Sequence, residues 1–149
     1  MNDFEYMQMA IDEARLAAAA DEVPVGALIV QDDRVIAAAH NTREGDKNAL
    51  CHAETSAIAR ACAALGGWRL PRTTLYVTME PCPMCAGAIV NARIERVVFG
   101  AYDARAGAFG SVLNLNDYPL NHKPQIDGGV CEDVCAELLR AFFKRKREK

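Results

Sequence analysis

Residues 73–100 read TTLYVTMEPCPMCAGAIVNARIERVVFG, and this stretch decides the fold. Residues 73–79 are uncharged and rich in β-branched and apolar side chains, as a buried strand requires. Residues 96–100, RVVFG, repeat that character. Between them a helix opens at Pro81-Cys82-Pro83 and runs to about Arg93, with Pro83 suited to a first helical position, where its missing N–H has no intrahelical use. Strand, helix and strand in that order predict a right-handed crossover between parallel neighbours.

Toward the N-terminus, residues 4–20 read as a helix, with Met7, Ile11, Ala14 and Ala18 at helical spacing after a capping Asp3. Residues 25–30 read as a strand, and Asp32-Asp33 turn the chain into residues 34–39, giving a hairpin. Residues 40–50, HNTREGDKNAL, are a polar loop. An Ala-rich helix follows over residues 52–65 and stops at Gly66-Gly67. Downstream, residues 101–123 have weak periodicity and are longer than an ordinary connection, a length that points to function. A short strand near residues 125–127 and a helix over 130–147 complete the chain. The expected architecture is a single three-layer α/β domain over residues 1–149, with a mixed sheet of about five strands flanked by helices.

The composition agrees. With 149 residues, 51% hydrophobic, 25% charged, 10 Gly and 6 Pro, the chain is neither disordered, collagenous nor coiled-coil. A chain of this length buries roughly 68–70% of its unfolded surface and needs no disulfides. No apolar run approaches the ~20 residues that span a bilayer. The first residues, MNDFEYMQMAIDEARLAAAA, carry early acids and no basic region, so a cytoplasmic protein is expected. There the six Cys stay reduced, which favours metal binding or thiol chemistry.

A net charge of −3 speaks against a general nucleic-acid coat. Residues 140–149 nevertheless carry six basic side chains and one acid, a local +5 that leaves −8 on the rest. Two readings fit: a local grip on an anionic partner, or a solvated helix end whose cations suit the dipole.

Two short stretches carry chemistry: His52-Ala53-Glu54 and Glu80-Pro81-Cys82-Pro83-Met84-Cys85, each opening a helix. Cys82 and Cys85 are three apart, so one helical turn points both sulfurs the same way. A helix N-terminus also favours the thiolates a metal needs. With His52 as third ligand the set fits zinc and leaves one tetrahedral position open. The competing reading is a closed structural zinc site or inert core thiols. A closed site needs a fourth protein ligand, and the nearest, Cys51, adjoins His52 and is hard to turn onto the same metal. Glu54, two residues from a ligand, is placed to act on a zinc-bound water. Cys62, Cys131 and Cys135 read as buried thiols, although Cys131 and Cys135 have clip spacing. His40 and His122 read as exposed or hydrogen-bonded imidazoles.

H-A-E followed by P-C-x-x-C resembles the zinc-dependent nucleobase deaminase superfamily, whose signature is H-x-E…P-C-x-x-C. The wider match resembles the bacterial tRNA adenosine deaminase family and covers nearly the whole chain. It includes Val23 through Ala27, Asn41, Thr74 through Thr78, Glu80 through Ala88, and residues 96–100, with Asp103-Ala104, Gly107-Ala108 and Gly110-Ser111. Arg105-Ala106 and Phe109 depart from that family, which usually has Lys-Thr and a small residue there.

The resemblance implies a cytidine-deaminase-like fold and one Zn2+ per subunit held by His52, Cys82 and Cys85. It further implies hydrolytic deamination of adenosine to inosine at the wobble position, with Glu54 moving the protons. Asn41 would bond the flipped nucleotide, Val25 would wall the pocket and the Ala53 backbone N–H would touch the base. Asn41 as a turn former and Val25 as strand core are the plainer alternatives. Asp103, Tyr102 and Phe109 would meet flanking anticodon-loop nucleotides, or else pack the loop or a subunit contact. Residues 144–149 would hold the tRNA backbone, Phe142 and Phe143 belong rather to core, and the assembly would be a homodimer. A deaminase of a free base or nucleoside, and a zinc-stabilised binding module without turnover, are the two other functions compatible with these residues.

Overall fold

Side-chain alternation along the strands separates two apolar layers in the computed structural model, which describes residues 1–148. The strands are β1 (Gly26–Gln31), β2 (Arg34–His40), β3 (Thr73–Met79), β4 (Arg96–Ala101) and β5 (Gln125–Gly128). The helices are α1 (Asp3–Ala19), α2 (Ala53–Leu65), α3 (Pro83–Asn91) and α4 (Glu132–Arg147). Ala27, Ile29, Leu75, Val77, Val97 and Phe99 face the core shared with α2 and α3. Their neighbours Leu28, Val30, Tyr76 and Val98 face the core shared with α1 and with Cys135 of α4. A period of two buries both faces of the sheet, and each fully buried large side chain stabilises the fold by about 1.5–3 kcal/mol.

The sheet order is β2-β1-β3-β4-β5. β1 pairs antiparallel with both β2 and β3, whereas β3–β4 and β4–β5 are parallel. The expected mixed five-stranded sheet with helices on both sides is therefore present. Among the described residues no helix is long and apolar enough to cross a membrane.

Two details differ from the sequence expectation, and one connection departs from the usual helical crossover. The cap of α1 is Asn2, not Asp3: the Asn2 side chain accepts from Glu5 N while the Glu5 carboxylate reaches back to Asn2 N. Asp3 is then free to bind the Arg96 guanidinium and the Tyr76 hydroxyl. The parallel step from β4 to β5 uses no α-helix; the long connection holds only one 3-10 turn, Leu115–Asp117. Finally α4 begins at Glu132, because Cys131 adopts a left-handed backbone with φ 57°.

Gly66 ends α2 in the left-handed conformation (φ 74°), with its N–H on the Cys62 carbonyl. α2 and α3 thus start at the same edge of the molecule, where β3 and β4 end at Met79 and Ala101. That crevice, at the carboxyl ends of parallel strands, is where open α/β sheets bind ligands.

Candidate metal centre and substrate cavity

His52 is the N-cap residue of α2 and Cys82 that of α3, yet neither side chain caps its own helix. Both are left free to face each other across the start of the two helices. The His52 Nδ1 lies 3.7 Å from Cys82 Sγ and 3.5 Å from Cys85 Sγ. Bonds of about 2.3 Å to sulfur and 2.0–2.1 Å to nitrogen at tetrahedral angles give an edge of about 3.6 Å. The donor set therefore has the spacing of three corners of a zinc tetrahedron, and two thiolates with a neutral imidazole match a dication. Among the described residues these three form the group able to hold a metal, and Cys51 is not part of it.

The thiols are electrostatically unequal. Cys82 is pulled down to about 4, first by the hydrogen bond from Cys85 and then by the His52 ring. Cys85 is pushed up by that same bond and by its burial. In effect one proton is shared between the two sulfurs, and a cation would displace it. Glu54, one turn into α2, is buried and its carboxyl is raised to about 7, chiefly by loss of water.

These groups open on a cavity of about 130 Å³. Val25, Asn41, Ala53 and Asp103 line it together with His52, Glu54 and Cys82, so these four candidate substrate residues meet the candidate centre. Asn41 is buried, with its Oδ1 accepting from Arg43 N at 3.0 Å and its Nδ2 donating to the Val23 carbonyl at 3.3 Å. It shapes the turn and borders the cavity at once. Met79 and Asp103 continue into a wider groove beside Tyr102, Arg105, Phe143, Lys146 and Arg147.

The other candidates fall elsewhere. Tyr102 is 53% exposed and sits edge-on to Phe99, whereas Phe109 is 5% exposed and belongs to the core under α2 and α3. Phe109 therefore offers no stacking face to a nucleotide, and of the two sequence readings packing of the loop is the one that holds. Its ring packs into that core while its backbone N–H donates to the Glu80 carboxylate. Phe142 is buried and Phe143 is exposed, as adjacent helical residues must be. Lys146 pairs with Asp21, and Lys149 lies outside the described residues. His40 faces Glu13 and His122 bonds the Ile94 carbonyl. Cys62 and Cys131 are half-buried and Cys135 is buried.

Sequence reasoning missed two buried acids that shape the cavity rim. The Glu22 carboxylate accepts from Glu44 N at 2.9 Å and Gly45 N at 2.6 Å, holding the loop that begins at Asn41. The Glu80 carboxylate accepts from the backbone of Asp103, Phe109 and Ser111. The only local signal is an acid beside an apolar stretch, since the donors lie more than 20 residues away in the chain.

Comparison with known proteins agrees with this arrangement. The MafB19-like deaminase family profile matches residues 1–147. A tRNA-specific adenosine deaminase of Bacillus subtilis is 49% identical over 145 residues, 97% of this chain and 90% of the relative. A solved structure from work on A-to-I editing by tRNA:A34 deaminases at the wobble position superposes with a TM-score of 0.88 at 45% identity, covering 91% of this chain and 99% of that one. The guanine deaminase of Bacillus subtilis superposes with a TM-score of 0.66 at 38% identity, over 68% of this chain and 66% of that one.

Proposed function

Because the chain belongs to the MafB19-like deaminases, and within them to the tRNA-specific adenosine deaminase family, we propose that it converts adenosine to inosine at the wobble position of a tRNA anticodon. The observation that carries the reading is the buried Glu54 on the same cavity as His52 and Cys82, with Asn41 and Asp103 at its rim.

His52, Cys82 and Cys85 would hold one Zn2+ per subunit. Zinc bound there lowers the pKa of a water to about 7 and so supplies a nucleophile at neutral pH. Glu54 would take the first proton from the attacking water and pass it to the ring nitrogen beside C6 as the oxygen adds to C6. Glu54 then moves the second proton to the amino group, the C–N bond breaks, and ammonia and inosine are the products. Burial suits Glu54 to this work, because a carboxyl raised to about 7 gives and takes protons near neutrality. Asn41 bonds the flipped nucleotide, Val25 walls the base, and the Ala53 N–H, an orphan donor of the first helical turn, meets its edge. Asp103 meets a neighbouring nucleotide of the anticodon stem-loop.

The basic residues of 144–149 hold the RNA backbone, and the groove lined by Arg105, Lys146 and Arg147 beside the cavity supports that placement. A single domain over residues 1–149, working in the cytoplasm as a homodimer, completes the proposal. Exposed Leu50, Val112, Tyr118 and Leu120 support pairing between subunits.

The test is to incubate the zinc-loaded protein with an anticodon stem-loop bearing adenosine at the wobble position, and separately with guanine, cytosine and cytidine. Inosine in the RNA is the expected product. Turnover of a free base alone would overturn the RNA reading in favour of a small-molecule deaminase.

A further inference from the structure

Glu80 has no part in the chemistry described above, yet it borders the cavity and is only 2% exposed. Each of its partners is a donor. Oε1 accepts from Asp103 N at 3.0 Å and from the Ser111 hydroxyl; Oε2 accepts from Phe109 N at 3.2 Å and Ser111 N at 3.1 Å. An acceptor-only carboxylate fits four donors, whereas an amide of the same shape would turn its own N–H groups toward them.

The surrounding backbone closes the same seam. Glu80 N donates to the Ala101 carbonyl at 2.8 Å, and Ala108 N donates to the Pro81 carbonyl at 2.9 Å. Gly107 lies so close that a Cβ there would stand 2.4 Å from the carboxylate. Within the loop, Asp103 Oδ1 accepts from Arg105 N at 3.0 Å and Ala106 N at 3.2 Å. Asp103 is thus fixed at both ends, its backbone by Glu80 and its side chain by the turn it starts. Glu80 stands two residues before Cys82, so the loop and the Cys82 turn form one piece.

We propose that Glu80 is a positioning residue, whose buried carboxylate holds residues 102–111 on the Pro81-Cys82 turn and so sets Asp103 at the cavity mouth in register with the candidate metal ligands. What Asp103 touches rests on the tRNA-deaminase reading; how the loop is held does not. Glu80 acts through Asp103 and its loop, so its loss weakens substrate binding and spares the proton transfers of Glu54.

The experiment compares zinc-loaded wild type, Glu80→Gln and Ser111→Ala by hydrogen exchange and by steady-state deamination of the anticodon stem-loop. In Glu80→Gln, exchange over residues 102–111 should rise at least about 10-fold while residues 83–91 stay protected. Its kcat/KM should fall roughly 10- to 100-fold through KM, with zinc still at one per chain. Ser111→Ala, which keeps all three backbone partners and loses only the hydroxyl bond, should show smaller shifts in the same direction. It keeps the test open if Glu80→Gln folds poorly. In an Asp103→Ala background, Glu80→Gln should cost no more than about a further threefold.

Unchanged exchange, a loss carried by kcat alone, or a full-sized loss on top of Asp103→Ala would overturn the positioning role. A wild type inert on the stem-loop would overturn the functional reading instead, and the exchange comparison would still decide how the loop is held.

Discussion

The two walls of the cavity are built on different principles. The metal wall is built on regular elements: His52 and Cys82 each sit at the start of a helix, and Cys85 follows Cys82 by one turn. The rim is long-range: two loops hang on the carboxylates of Glu22 and Glu80, which reach backbone donors 22 to 31 residues away. Local spacing sets Cys82 and Cys85 on one helical turn, and the fold brings the start of α2, with His52, to that turn. A loop held by a buried acid depends instead on the rest of the fold being in place, because its donors come together only then. Damage to the first wall should therefore abolish chemistry, and damage to the second should loosen substrate while leaving the metal.

The largest effect is expected from His52→Ala, Cys82→Ala or Cys85→Ala, each of which should lose the metal and reduce inosine formation to background. Metal analysis of the purified variants checks this, and full zinc retention by any one removes that residue from the ligand set. Glu54→Gln comes next. It should keep zinc and lose roughly 10²- to 10⁴-fold in kcat, measured by single-turnover release of ammonia; a near-normal rate would end its proton-transfer role.

On the rim, Gly107→Ala forces a Cβ against the Glu80 carboxylate and should destabilise by about 1–3 kcal/mol in urea unfolding, with KM raised and zinc retained. A metal-free product would mean that the two walls are not separable. Each Glu22 oxygen accepts one bond where each Glu80 oxygen accepts two, and Gln replaces one oxygen with an N–H donor group, so in Glu22→Gln KM should rise less; an equal or larger rise would reverse the ranking of the loops.

The smallest effect lies far from both walls and serves as a control. The Arg96 guanidinium beside Asp3 holds its carboxyl below the usual value. A depressed carboxyl stabilises the fold above its unfolded pKa, near 3.8, and loses that contribution as pH falls through the folded value. The pair is part-exposed, so Asp3→Asn should cost under about 1 kcal/mol at neutral pH and flatten the acid limb of the stability curve. An unchanged acid limb would show that the pair contributes nothing.

This contrast also explains what could be read from the chain in advance. β3 was legible because seven uncharged residues between charged or turn-forming neighbours leave little alternative to a strand. The ends of α2 were legible because Gly66 takes a left-handed backbone that few other residues tolerate. Asp3 misled as a cap because a neighbouring Asn with Glu three residues on makes the better capping box. Phe109 stayed open between stacking platform and loop packing, since nothing local says which way a loop aromatic turns.

By itself the sequence determined the strand and helix series, the Cys82–Cys85 spacing on one turn, and the placing of His52 and Glu54 at a helix start, because each depends on bonds within a few residues. Tertiary structure alone decided that His52 Nδ1 stands within 3.7 Å of both sulfurs, that Glu54 loses its water, and that Glu22 and Glu80 become the anchors of the rim. Those properties require segments far apart in the chain to share one buried space, where an acid that would be unremarkable in water must gather every donor within reach.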